Sequence, residues 1–114
     1  MIGKQNKGKG FGGLLKYVLS KEGAEIVGKN MLGDTAEELS SEFSESRKLR
    51  PNLKKCVYHA SLSLPEGDHL ISTQWREVAD TYMDKMGFGG AQYVAVLHQD
   101  TKHQHIHIVA SRAR

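Results

Sequence analysis

The sequence predicts an α+β domain, an antiparallel sheet flanked by helices, and three features predict it. Val57–Leu64 alternates in polarity and stops at Pro65-Glu-Gly67. Gln92–His98 and His105–Ala110 are strand-like runs separated by the polar turn Asp100-Thr-Lys-His103, and stretches with helical periodicity precede and separate these strands. With 114 residues the chain can bury one modest core, so a single domain over residues 1–114 is expected.

Taken in order, the first ten residues carry Lys4, Lys7 and Lys9 among glycines and read as a flexible start. Leu14–Lys21 follows with Leu14, Leu15, Val18 and Leu19 on one helical side, and Gly23 ends it. At about 100° per residue Tyr17 falls about 130° from the middle of that apolar arc, which puts its phenol on an accessible flank. A second helix opens at Thr35, which forms a capping box with Glu38, buries Leu39 and Phe43, and ends by Pro51. The acidic, serine-rich stretch Glu37–Ser46 is its solvated face. A third helix, Ser72–Met86, sets Trp75, Val78, Ala79, Tyr82 and Met86 along one side, with Gly87 as its stop. Trp75 and the methionines of this helix, Met83 and Met86, are assigned to the core.

Four of the six histidines lie within residues 98–107. In a strand the side chains of residues i and i+2 share a face, so His105 and His107 project together while Ile106 and Ile108 turn the other way. A hairpin folded at Asp100–His103 sets His98 opposite His105, and cross-strand partners of this kind have Cβ atoms about 4.5–5.5 Å apart. His98, His105 and His107 are therefore candidate ligands of one metal ion. Three neutral ligands leave coordination positions open for a substrate oxygen, which suggests catalysis over a closed structural site. His103 shares the parity of His105 and is the rival for the third position, although a turn residue is the simpler reading of it.

Composition narrows the rest. Hydrophobic residues make up 39% and charged residues 25%, as in ordinary globular domains. No apolar run approaches the ~20 residues needed to cross a bilayer, and the start lacks the apolar region of a secretory signal. Membrane insertion is not expected, and a cytoplasmic location is. The lone cysteine, Cys56, fits a reducing compartment and reads as a small packing residue. The net charge of +3 is unevenly placed, since Lys4, Lys7, Lys9, Lys16, Lys21 and Lys29 face only Glu22 and Glu25 in the first 29 residues. That end suits a polyanion. No Walker-type glycine motif is present, so nucleotide triphosphate use is not indicated.

These residues resemble the relaxases, the mobilization endonucleases of bacterial conjugative and mobilizable plasmids, within the class named for a histidine, bulky hydrophobe, histidine motif. His105-Ile106-His107 is that motif, His98-Gln-Asp100-Thr101 resembles the segment ahead of it in the tyrosine relaxases, and Gly10-Phe-Gly-Gly-Leu-Leu-Lys-Tyr17-Val-Leu resembles their nucleophile helix. Tyr58-His-Ala-Ser-Leu-Ser-Leu and Trp75 through Phe88 are also similar to family segments. The sequence departs from the family at His103, where asparagine is common.

The resemblance implies a five-stranded antiparallel sheet of the relaxase and rolling-circle endonuclease type, of which this chain is expected to supply the N-terminal part. It implies a divalent ion on His98, His105 and His107, magnesium or manganese first, with zinc and nickel also acceptable to three imidazoles. Tyr17 is implied as nucleophile in a 5′-phosphotyrosine reaction. Asp100 is implied as a helper that favours the phenolate or orients a histidine. Lys4, Lys7, Lys9 and Lys16 are expected to hold DNA, single-stranded or hairpin, at a transfer origin. Accessory mobilization proteins and the conjugative coupling machinery are the implied partners. A rolling-circle replication initiator or transposase of the same class is the alternative enzyme, and a non-catalytic, metal-stabilised single-stranded DNA-binding module is the alternative outside enzymes.

Overall fold

A computed structural model describes residues 2–8, 11–48, 52, 56–99 and 103–112. Eight elements follow in order: β1 (Ile2–Gly8), α1 (Gly12–Ser20), β2 (Glu25–Lys29), α2 (Ala36–Arg47), β3 (Val57–Ser63), α3 (Ser72–Lys85), β4 (Tyr93–His98) and β5 (His105–Ser111). The strands form one sheet in the order β1-β3-β5-β4-β2, with every neighbouring pair antiparallel. The α+β class is as the sequence predicts.

The strand at the centre is the one that carries His105 and His107. It is flanked by β3 and β4, so both of its edges are hydrogen-bonded and its position is fixed from two sides. Alternation then sorts its side chains between two cores. Ile106, Ile108 and Ala110 join Leu97, Ala95, Tyr58, Ala60 and Leu62 beneath α3, which contributes Trp75, Ala79 and Met83. Val109 on the other face joins Val94, Val96 and Val57 beneath α1 and α2, with Leu15, Val18, Leu39, Phe43 and Phe11 above them. Phe11 and Phe43 stack at 4.3 Å between ring centroids and fasten the two helices together. His98, His105 and His107 have the parity of this second face, beyond the end of its apolar cluster.

Local signals are met at the helix ends. The amide of Glu38 donates to Thr35 Oγ1 at 3.1 Å, and Thr35's own amide donates to Glu38 Oε1 at 3.2 Å, completing the capping box. Hydrogen bonds accepted from the Asp34 amide and then from the Thr35 amide hold the Glu38 carboxyl below its usual pKa. Thr35→Ala should cost about 1 kcal/mol, read as a lower urea midpoint with an unchanged slope. At the far end of α3, Gly87 takes φ +80°, with its amide on the Asp84 carbonyl (3.1 Å) and that of Phe88 on Met83 (2.9 Å). This is the doubly bonded left-handed stop that glycine makes available.

Three expectations are corrected. The flexible start is in part a strand, since Ile2–Gly8 pairs residue for residue with β3 at one edge of the five-stranded sheet. A second edge strand, Glu25–Lys29, was not expected either, and its register shifts between Ile26 and Gly28. Met86 is 43% exposed at the C-cap of α3, beyond the last turn that the sheet covers, and Met83, one turn after Ala79, takes the buried place. Cys56 is fully buried, as a packing residue should be.

Candidate metal centre

The hairpin of β4 and β5 pairs His98 directly with His105 and Val96 with His107. This register puts all three imidazoles on one face. Their ring centroids lie 4.5 Å apart for His98 and His107, 5.1 Å for His105 and His107, and 5.2 Å for His98 and His105. One nitrogen from each falls within 4.8 Å of the other two, so the three histidines could hold a metal ion. An ion bonded to all three at about 2.1 Å needs nitrogens about 3–3.5 Å apart, so small ring rotations would complete the site. His103 is exposed on the turn, with Nδ1 3.1 Å from the Leu64 carbonyl, and lies outside this cluster.

The second nitrogen of each ring already has a partner. His98 is buried, 2% exposed, and its Nε2–H donates to the Val18 carbonyl at 2.7 Å, leaving the Nδ1 lone pair for an ion. Val18 lies in the last turn of α1, where carbonyls have no partner within the helix, so a helix end and a ligand satisfy each other. His105 Nδ1–H donates to the His103 carbonyl at 3.0 Å, leaving Nε2. His107 Nδ1 lies 2.8 Å from Nε2 of His59 on β3. Fixing the far nitrogen selects the tautomer and the ring orientation, which is how ligand histidines are ordinarily held. Three neutral nitrogens so held fit a divalent ion.

His59 was not singled out from the sequence. Burial pushes its pKa down and favours the neutral ring. Its register opposite Val109 makes it a diagonal neighbour of His107 across the β3–β5 pair, within reach of a long side chain.

Tyr17 stands at the edge of this cluster. It is 53% exposed, and its ring meets that of His107 edge-on with 6.4 Å between centroids. Lys21 Nζ lies 5.4 Å from the Tyr17 ring centre. A cavity of about 580 Å³ beside Tyr17 is lined by Gly13, exposed Lys16, Leu19, Ser20, Ala36 and Glu37. Lys4 and Lys7 lie in β1, opposite Ser61 and Tyr58 in its register. Lys9 and Asp100 lie outside the described residues.

The model of the family described as "Relaxase: MobA/VirD2-like, nuclease domain" matches residues 17–114. The chain belongs to this relaxase family. No curated protein and no solved structure matches it. The matched part of the relaxase opens at Tyr17 and contains His98, His105 and His107, while β1 lies ahead of it. Membership in a nuclease family points to DNA as the substrate and to nicking in mobilization. Among the described residues of this relaxase no helix is long and apolar enough to cross a membrane.

Proposed function

We propose that this relaxase domain nicks and rejoins one strand of DNA at a plasmid transfer origin through a covalent bond between Tyr17 and a 5′ phosphate. The observation that carries the reading is the last turn of α1, where Val18 is hydrogen-bonded to His98 while Tyr17, the residue before it, turns its ring edge to His107. Nucleophile and ligand cluster are thereby held by one short piece of helix. A divalent ion on His98, His105 and His107, magnesium or manganese by preference, supplies Lewis acidity toward a phosphate oxygen when bound.

The chain's own residues do the rest. The Tyr17 hydroxyl oxygen forms a bond to phosphorus as the bond from phosphorus to the 3′ oxygen breaks. The phenolic proton is lost, with Asp100 assigned to favour its departure, and the leaving 3′ oxygen ends as a hydroxyl. The phosphotyrosine ester conserves the energy of the broken phosphodiester, so a 3′-hydroxyl can reverse the step without ATP. In this reading Lys16, on the cavity beside Tyr17, pairs with a neighbouring phosphate, and Lys4, Lys7 and Lys9 add positive charge near the start of the chain. The reaction belongs in the cytoplasm, where accessory mobilization proteins and the coupling machinery would present and receive the strand.

The test is incubation of the protein with a single strand carrying the cognate origin and manganese. A covalent protein–DNA adduct and a free, polymerase-extendable 3′ end are expected, both suppressed by EDTA. Cleavage that leaves no adduct, or an adduct indifferent to chelation, contradicts the reading.

A further inference from the structure

We propose that His59 is a positioning residue of the metal centre: its Nε2 accepts a hydrogen bond from His107 Nδ1–H and so presents His107 Nε2 to the ion. The inference rests on the metal reading above and extends it to a fourth histidine. Three observations support it. His59 Nε2 and His107 Nδ1 lie 2.8 Å apart, within hydrogen-bond range. The two rings are nearly parallel, 25° between planes with 5.1 Å between centroids, and His59 is not among the three clustered histidines. The other two ligands have main-chain carbonyls at their far nitrogens, Val18 for His98 and His103 for His105, whereas His107 has a side chain there.

That difference follows from the fold. A residue inside a central strand is bordered by strands whose carbonyls are committed to the ladder, and His107 is paired with Val96 on one side and Ser61 on the other. His98 sits at a strand end against a helix terminus, and His105 begins its strand beside the turn, so both find free carbonyls. For His107 the acceptor has to come from a side chain on its own face of the sheet. The diagonal position on β3 supplies one, and imidazole is long enough to reach it. An imidazole nitrogen that carries a hydrogen cannot bind a metal, so the acceptor at Nδ1 decides which tautomer His107 presents.

The experiment compares wild type, His59→Gln and His59→Leu. Glutamine can place a carbonyl oxygen near the site of the lost Nε2, whereas leucine keeps volume and offers no acceptor. Calorimetric titration with manganese should show His59→Leu binding about 10–100-fold more weakly, with His59→Gln restoring affinity to within about threefold of wild type. Long-range proton–nitrogen NMR of the metal-free wild type should find His107 protonated at Nδ1, a readout that depends on no variant folding. The inference is overturned if His107 is protonated at Nε2, if leucine binds manganese as wild type does, or if glutamine and leucine weaken binding equally. Failure of wild type itself to bind manganese overturns the metal reading as a whole, so the two failures are told apart.

Discussion

Tyr17→Phe loses the covalent protein–DNA adduct and slows nicking by at least about a thousandfold, equivalent to about 4 kcal/mol of barrier. The substitution removes one oxygen from a half-exposed side chain on the flank of α1, so the fold should be undisturbed and thermal unfolding should match wild type. Manganese affinity should also persist, because Tyr17 is not among the clustered histidines. Of the other three tyrosines, Tyr82 packs against the core on the opposite face of the sheet, and Tyr58 and Tyr93 are poor substitutes on two counts. Tyr58 is buried on the opposite face of the sheet, its hydroxyl 2.6 Å from that of Tyr82, and burial together with that contact pushes its pKa well up. Tyr93 is buried in the same core with its hydroxyl donating to Asp80, and burial first and that carboxylate second raise its pKa as well. A raised pKa means less phenolate at any working pH, the reverse of what a nucleophile needs. Denaturing gel electrophoresis of radiolabelled origin strands measures the effect, and peptide mapping of the wild-type adduct locates the modified residue. Full adduct yield from the phenylalanine variant would remove Tyr17 from its role.

His107→Ala and His105→Ala each lower metal affinity by more than the roughly 10–100-fold that loss of an outer-shell partner costs, and adduct formation falls with it. Both rings are only part-buried, and the sheet beneath them is held by Ile106, Ile108 and Val109, so these variants should stay folded. His98→Ala behaves differently because His98 has two tasks. Removing it loses a ligand and also strips the Val18 carbonyl of its partner in a buried place, a penalty of about 1–3 kcal/mol in stability. The last turn of α1, which carries Tyr17, loses this hydrogen bond to the sheet and is held there by the packing of Leu15 and Val18. His103→Ala is the control: its main-chain carbonyl still accepts from His105, so manganese affinity should stay close to that of wild type. Calorimetric titration with manganese, together with urea unfolding, separates the four. Equal losses from His103→Ala and His105→Ala would show that the ligand set had been chosen wrongly.

The parts of this molecule that were legible in advance are those governed by neighbours in sequence. The β4–β5 hairpin is local, and a short turn together with two-residue alternation suffices to bring His98 opposite His105 and His107 onto the same face. The capping box at Thr35 and the glycine stop at Gly87 are local too. What could not be read depends on partners far along the chain. Glycine- and lysine-rich β1 has no alternating apolar face, and it is a strand because the free edge of β3 accepts its backbone; β2 is a five-residue edge strand with a shifted register. His59 belongs with these. Its alternation with Ser61 and Ser63 gives its face, but only the placement of β3 beside β5, with α3 and β4 intervening in the chain, brings it to His107. Register across a sheet is set by long-range pairing, and a histidine in a strand of unknown neighbours is indistinguishable from any other half-buried polar residue.

Anomalous X-ray scattering from manganese-soaked crystals of the wild-type protein puts the central arrangement to the most direct test. One peak should appear about 2.0–2.3 Å from a nitrogen of each of His98, His105 and His107, on the side of the sheet that Tyr17 faces, with its hydroxyl close enough for a phosphate oxygen to lie between. A peak bound elsewhere, or one on these histidines with Tyr17 turned away from it, would contradict the account.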